Sequence, residues 1–120
     1  MNWYLYKLIP PRPDFSRTMA PAEREAMIAH VGYWRGHTAD GRVLIFAPVA
    51  DPSGDWGLAI VSAESSDDVR SLGDTDPAVT AGVARYEVVD LPGAVTAARA
   101  LLVASGQTRS GMQQLSLIHI

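Results

Sequence analysis

The chain has 120 residues, room for one domain with one core. Its 10 Lys and Arg against 13 Asp and Glu give a net charge of −3, without the basic surplus that meets nucleic acid or an anionic membrane. Cysteine is absent, which removes disulfides, thiolate metal sites and thiol nucleophiles. No apolar run reaches the length of a membrane span. The amino terminus MNWYLYKLIPP lacks the basic start and cleavage site of a signal peptide, so a cytoplasmic protein is the expectation.

Residues 2–9 are rich in aromatic and aliphatic side chains and stop at Pro10-Pro11, which predicts a first strand. The stretch PPRPDFSRTMAP holds four of the eight prolines, and fixed φ angles with missing amide donors predict an irregular surface loop. Pro21 then suits an early helical position, and Glu23 and Glu25 suit the positive end of a helix running to about Ala39 and closed by Gly41. At 100° per residue, Met27, Ile28, Val31 and Trp34 make its apolar stripe, with His30 on the flank. Arg42 to Val49 and Trp56 to Ala63 read as the two strands of a hairpin across the turn ADPSGD. Ser65 or Ser66 can cap a second, acidic helix ending near Asp76-Pro77, and the alternation in RYEVVDL (85–91) suits an edge strand.

The order βαββαβ predicts an α+β, ferredoxin-like domain over residues 1–92, with one four-stranded antiparallel sheet and the first strand central. Strand one is apolar on both faces: Trp3, Leu5 and Ile9 on one side, and Tyr4, Tyr6 and Leu8 on the other. Strand two sets Val43, Ile45 and Val49 against Leu44 and Phe46. Two short helices cover only one face of such a sheet, so a homodimer is expected to cover the other. Residues 93–105 have the composition of a further helix in a C-terminal extension, 93–120. The last six, LSLIHI, look more like a translated adapter sequence than a folded terminus and stay outside the fold reading.

The strings LIPPRPDF, AHVGYWRG, GRVLIFAPVADPSGDWGLAIV, DTDPAV and RYEVVDLP, spread over residues 2–92, resemble the YCII-related domain family. The resemblance implies the dimeric α/β-barrel superfamily and a helix-borne histidine paired with an aspartate, which by motif position fall on His30 and Asp76. Where the family has an assigned activity, it is lyase-like: elimination of halide from a chlorinated, hydroxylated ring. One departure is visible, because Ala47-Pro48 stands where Gly-Pro commonly follows strand two.

An imidazole is suited to acid/base work, and a carboxylate on its second nitrogen fixes the tautomer and raises its basicity. His30 is therefore the candidate base. A histidine beside an apolar stripe can equally do no more than bond a backbone carbonyl. Asp76 before a proline is also an ordinary turn former, and Asp51 in ADPSGD is the reserve partner with the same ambiguity. Arg12 and Arg35 are candidates for fixing an anionic or phenolic group, and Trp34 for stacking on a ring. His37 lies two helical turns beyond His30, roughly 10 Å along the axis, too far to share a metal ion, and no nucleotide, serine-hydrolase or zinc-protease motif is present. Neither metal nor cofactor is expected. Two functions fit: a small cofactor-free lyase or isomerase acting on a small polar cyclic substrate, or a non-catalytic dimer holding a small molecule.

Overall fold

The paired prolines end the first strand where expected. The computed structural model describes residues 1–97 and runs β1 (Asn2–Ile9), α1 (Phe15–Thr18), α2 (Pro21–Ala39), β2 (Val43–Val49), β3 (Trp56–Ala63), α3 (Ser66–Asp74), α4 (Pro77–Thr80) and β4 (Arg85–Asp90). The expected order holds, with α1 and α4 as single added turns. All strands pair antiparallel in the order β2-β3-β1-β4, which is the ferredoxin-like arrangement with β1 in the interior.

Alternation along β1 turns Tyr4, Tyr6 and Leu8 toward the helices, where they are buried. Ala59, Val61 and Ala63 of β3 join them, covered by Trp34 from α2, Val69 and Leu72 from α3, and Ala78 from α4. Burying a large apolar side chain contributes about 1.5–3 kcal/mol, so this helix-covered face carries the fold. Trp3, Leu5 and Ile9 are half-buried on the opposite face. Ile45 and Val89 lie beside them and are exposed.

Two expectations about faces change. Val43 and Ile45 do not share a face, because the β2–β3 register slips between them: Val43 pairs with Val61 and Ile45 with Ile60. This irregularity sends Val43 into the core and Ile45 outward. In α2 the buried stripe is Ala26, His30 and Trp34, while Ile28 is 66% exposed. The helix is rotated relative to the hydropathy reading, which puts His30 in the middle of the buried face. Residues 94–97 are not helical, and the rest of the helix expected over 93–105, with the LSLIHI tail, lies outside the described residues.

Local chemistry fixes the helix ends. The Glu23 carboxylate accepts from the Ala20 amide at 2.8 Å ahead of Pro21, and Gly41, at φ 85°, takes the left-handed turn after α2. Ser65 Oγ accepts from the Asp68 amide at the start of α3. Farther along α3, Gly73 rides on two rings, since a Cβ there would stand 2.7 Å from the Tyr86 ring and 2.8 Å from the Tyr6 ring. Gly73→Ala therefore forces α3 away from the sheet. It is expected to cost about 1–3 kcal/mol, read as a drop in the urea midpoint at unchanged slope.

Candidate active site

The site is built around a buried carboxylate. Pro77 biases the preceding residue to extended backbone, and Asp76 has φ −63° and ψ 125°. That conformation stops the chain continuing from α3 and lets the Asp76 side chain cap α4, accepting from the Ala78 amide at 2.9 Å. Three side chains reach the same carboxylate from elsewhere in the fold. His30 Nδ1 lies 2.9 Å from Oδ1 and 3.0 Å from Oδ2. Trp34 Nε1 donates to Oδ2 at 2.7 Å, and the Tyr6 hydroxyl donates to Oδ2 at 2.9 Å. Asp76 has no exposed surface. Burial by itself pushes its carboxyl up, but the hydrogen bond and charge of His30, with the Trp34 and Ala78 donors, outweigh this and hold it below the ordinary value. Burial and the adjacent Asp76 carboxylate push the Tyr6 hydroxyl far upward, so it remains a donor.

In the neutral imidazole, a carboxylate facing Nδ1 selects the tautomer with its proton on Nδ1, which leaves Nε2 with a lone pair. Nε2 has no hydrogen-bond partner among the described residues, and His30, 9% exposed, lines a cavity of about 210 Å³. A cavity of about 150 Å³ accommodates a benzene ring, so this one suits a single substituted ring. Its walls are largely apolar. The proline-rich loop contributes Pro10, Phe15 and Met19, α2 contributes Met27 and Val31, and the hairpin contributes Phe46, Ala47, Pro48 and Trp56. Ala47, which stands where the resemblance implies a glycine, is thus part of the wall, as is Pro48.

The aromatic side chains brace this arrangement. Tyr33 donates to the Leu72 carbonyl at 2.8 Å, tying α2 to the end of α3 just before Asp76. Tyr6 sits between Trp34 and Tyr86, with ring centroids 4.6 and 5.3 Å away. Trp34 is 1% exposed and spends its indole N–H on Asp76, so it holds the carboxylate and offers no open face for stacking.

The other residues singled out by sequence are placed elsewhere. Arg12 grips Glu23 through two nitrogens, at 2.8 and 3.0 Å, and also bonds Thr18; this holds the Glu23 carboxyl down to about 2. Arg35 is exposed and does not line the cavity. Asp51 is not beside His30: it closes its own turn on Ser53 and accepts from Trp56 Nε1 at 3.1 Å. Among the described residues no three His, Asp or Glu side chains converge as metal ligands, and His37 Nδ1 stands 3.6 Å from Asp40. Beyond Tyr6, which the sequence marks only as a core residue, two polar cavity residues are not among the sequence candidates, Ser16 and Asp55, whose side chains hydrogen-bond to each other across the cavity mouth. The available signal was position: Asp55 immediately precedes β3, and strand ends are where pockets collect polar groups.

The family model of the YCII-related domain matches residues 5–92. A search of curated proteins returns no match. Among solved structures, the chain is similar to the 5-chloro-2-hydroxyhydroquinone dehydrochlorinase TftG from Burkholderia phenoliruptrix AC1100, in its complex with 2,5-dihydroxybenzoquinone. Identity is 19% and the TM-score 0.56, over 76% of this chain and 95% of that one. Among the described residues, no helix is long and apolar enough to cross a membrane.

Proposed function

The chain belongs to the YCII-related domain family, and on that premise we propose that it is a small acid/base enzyme of lyase or isomerase type, with His30 as general base and Asp76 as the residue that orients it. The observation carrying this reading is the 2.9 Å contact between His30 Nδ1 and Asp76 at the wall of a ring-sized cavity, with Nε2 left without a partner among the described residues. A histidine serving only to satisfy the core would engage both nitrogens or be sealed off. The substrate class proposed is a halogenated, hydroxylated six-membered ring, a reading supported by the similarity to a dehydrochlorinase. In the keto tautomer of such a ring, Nε2 takes a hydroxyl proton. The O–H bonding pair becomes a carbonyl π bond, the ring double bond shifts, and halide leaves a saturated carbon with its own pair. The sum is loss of HX without an oxidant. Asp76 keeps its negative charge throughout and stabilises the imidazolium that forms.

Incubation with a chlorinated trihydroxybenzene tests this directly. One equivalent of chloride is expected to appear together with the quinone chromophore, and release no faster than in buffer would overturn the elimination reading. The same proposal includes a second copy of the chain. Trp3, Leu5, Ile45, Ile60 and Val89 lie on the sheet face that the helices leave uncovered. A second sheet laid against that face would remove this apolar surface from water. Light scattering is expected to give about twice the 12.9 kDa of the chain. A monomer at micromolar concentration would argue against the dimer and leave the chemistry of the cavity untouched.

A further inference from the structure

The cavity holds one polar feature that the acid/base reading does not use. Tyr6 and Trp34 line it, but their polar atoms are committed to Asp76. Trp56 Nε1 is likewise committed, donating to Asp51 at 3.1 Å, so beyond His30 the side-chain polar atoms left are those of Ser16 and Asp55, one from each lip. The Ser16 hydroxyl donates to Asp55 Oδ2. Asp55 Oδ1 and the Ser16 lone pairs then have no partner among the described residues, so the pair presents acceptors and no donor. The lips are set close together: the Asp55 amide donates to the Pro13 carbonyl at 3.3 Å, and a Cβ on Gly54, at φ 137°, would stand 3.0 Å from Pro13 Cβ.

The charge on the cavity lining itself is one-sided. Among the described residues, no Lys or Arg lines the cavity. Arg12, behind Phe15, is bound by Glu23 on two nitrogens. Lys7 lies 4.8 Å over the Trp56 ring but does not line the cavity.

We propose that Asp55, seated by Ser16, sets ligand specificity: it accepts a hydrogen bond from a ring hydroxyl and turns away rings that carry a carboxylate or phosphate. The ligand class is therefore a neutral, hydroxylated single ring. The cationic anchoring of an anion expected from Arg12 and Arg35 is replaced by anionic selection of a donor. This deepens the proposed function by naming what the same cavity admits, and it rests on that reading only for the claim that the bound ring reacts.

The test is a binding comparison between catechol, neutral at pH 7, and benzoate, anionic and of similar size, followed through the indole N–H signals of Trp34 and Trp56 by NMR. Wild type is expected to prefer catechol by about tenfold, the scale of one unfavourable charge contact at a partly wet site. Asp55→Asn keeps the shape and an oxygen for Ser16 while removing the charge, so the preference is expected to shrink to about twofold or less. Ser16→Ala loosens the seat but keeps the charge at the mouth, so it is expected to weaken catechol binding while retaining a preference over benzoate. Equal affinities in wild type, no catechol binding up to about 10 mM, an unchanged ratio in Asp55→Asn, or its collapse in Ser16→Ala would each overturn the proposal. Because no turnover is read, the comparison stands or falls separately from the acid/base assignment.

Discussion

Replacing His30 by asparagine is expected to lower turnover by about 10²–10⁴-fold while leaving the fold intact. The asparagine amide nitrogen occupies nearly the place of Nδ1 and still donates to Asp76, so the buried carboxylate keeps that partner. What is lost is Nε2, the atom with no partner among the described residues. Stability is expected to change by about 1 kcal/mol or less, and thermal melting beside the chloride assay separates the two effects. His30→Ala gives the same loss of turnover together with a larger loss of stability, because it also removes a donor from Asp76 and opens a void. Full activity in His30→Asn would dismiss the base assignment and leave the small-molecule-binding reading of the cavity.

Asp76 is the position with the largest expected effect on stability. Asp76→Ala strands the Trp34 indole N–H, the Tyr6 hydroxyl and the Ala78 amide and leaves His30 unpaired, for an expected loss of about 3–5 kcal/mol. Asp76→Asn is milder in volume but brings an NH₂ group against donors that need an acceptor, and the histidine loses the charge that fixes its tautomer. The variant is therefore expected to be both less stable and slower. The pH dependence follows from the depressed carboxyl. The folded protein holds this proton less tightly than the unfolded chain does, so the stabilisation is complete above the ordinary value of 3.8 and is lost as pH falls through the lower folded value. Urea unfolding of wild type and Asp76→Asn is expected to show a gap that is widest near neutrality and narrows below about pH 4. A gap independent of pH would show that the charge of Asp76 is not what holds the site. Glu23, also depressed, is present in both proteins and cancels in the comparison.

The parts legible in the sequence were those governed by local rules. Proline stops, glycine turns and strand alternation fixed every strand to within a residue or so, and the two-faced apolar pattern of residues 2–9 placed β1 in the sheet interior. Hydropathy misjudged the rotation of α2, because it scores His30 as polar and Ile28 as apolar. The deciding energy is a hydrogen-bonded carboxylate that draws His30 and Trp34 inward from 46 and 42 residues away. The slip between Val43 and Ile45 leaves no composition signal, since both residues are apolar. Arg12 looked like an anion anchor because spacing cannot show that Glu23 claims it. Asp55 went unnoticed beside Asp51, because only the folded hairpin shows which aspartate of ADPSGD faces the cavity.

The donors that converge on Asp76 come from β1, α2 and α4, and the Tyr6 contact closes a loop of 70 residues. No single supersecondary unit contains the site. The orientation of the His30 ring therefore depends on the sheet, the long helix and the α3–α4 corner being docked together. The side chains gripping the carboxylate, Tyr6 and Trp34, belong to the core itself, so freeing it requires breaking core packing. Competence for proton transfer and global integrity are therefore one cooperative property. A substitution anywhere in the core that halves the folded population would halve the active population with it, without altering the chemistry of the molecules that remain folded.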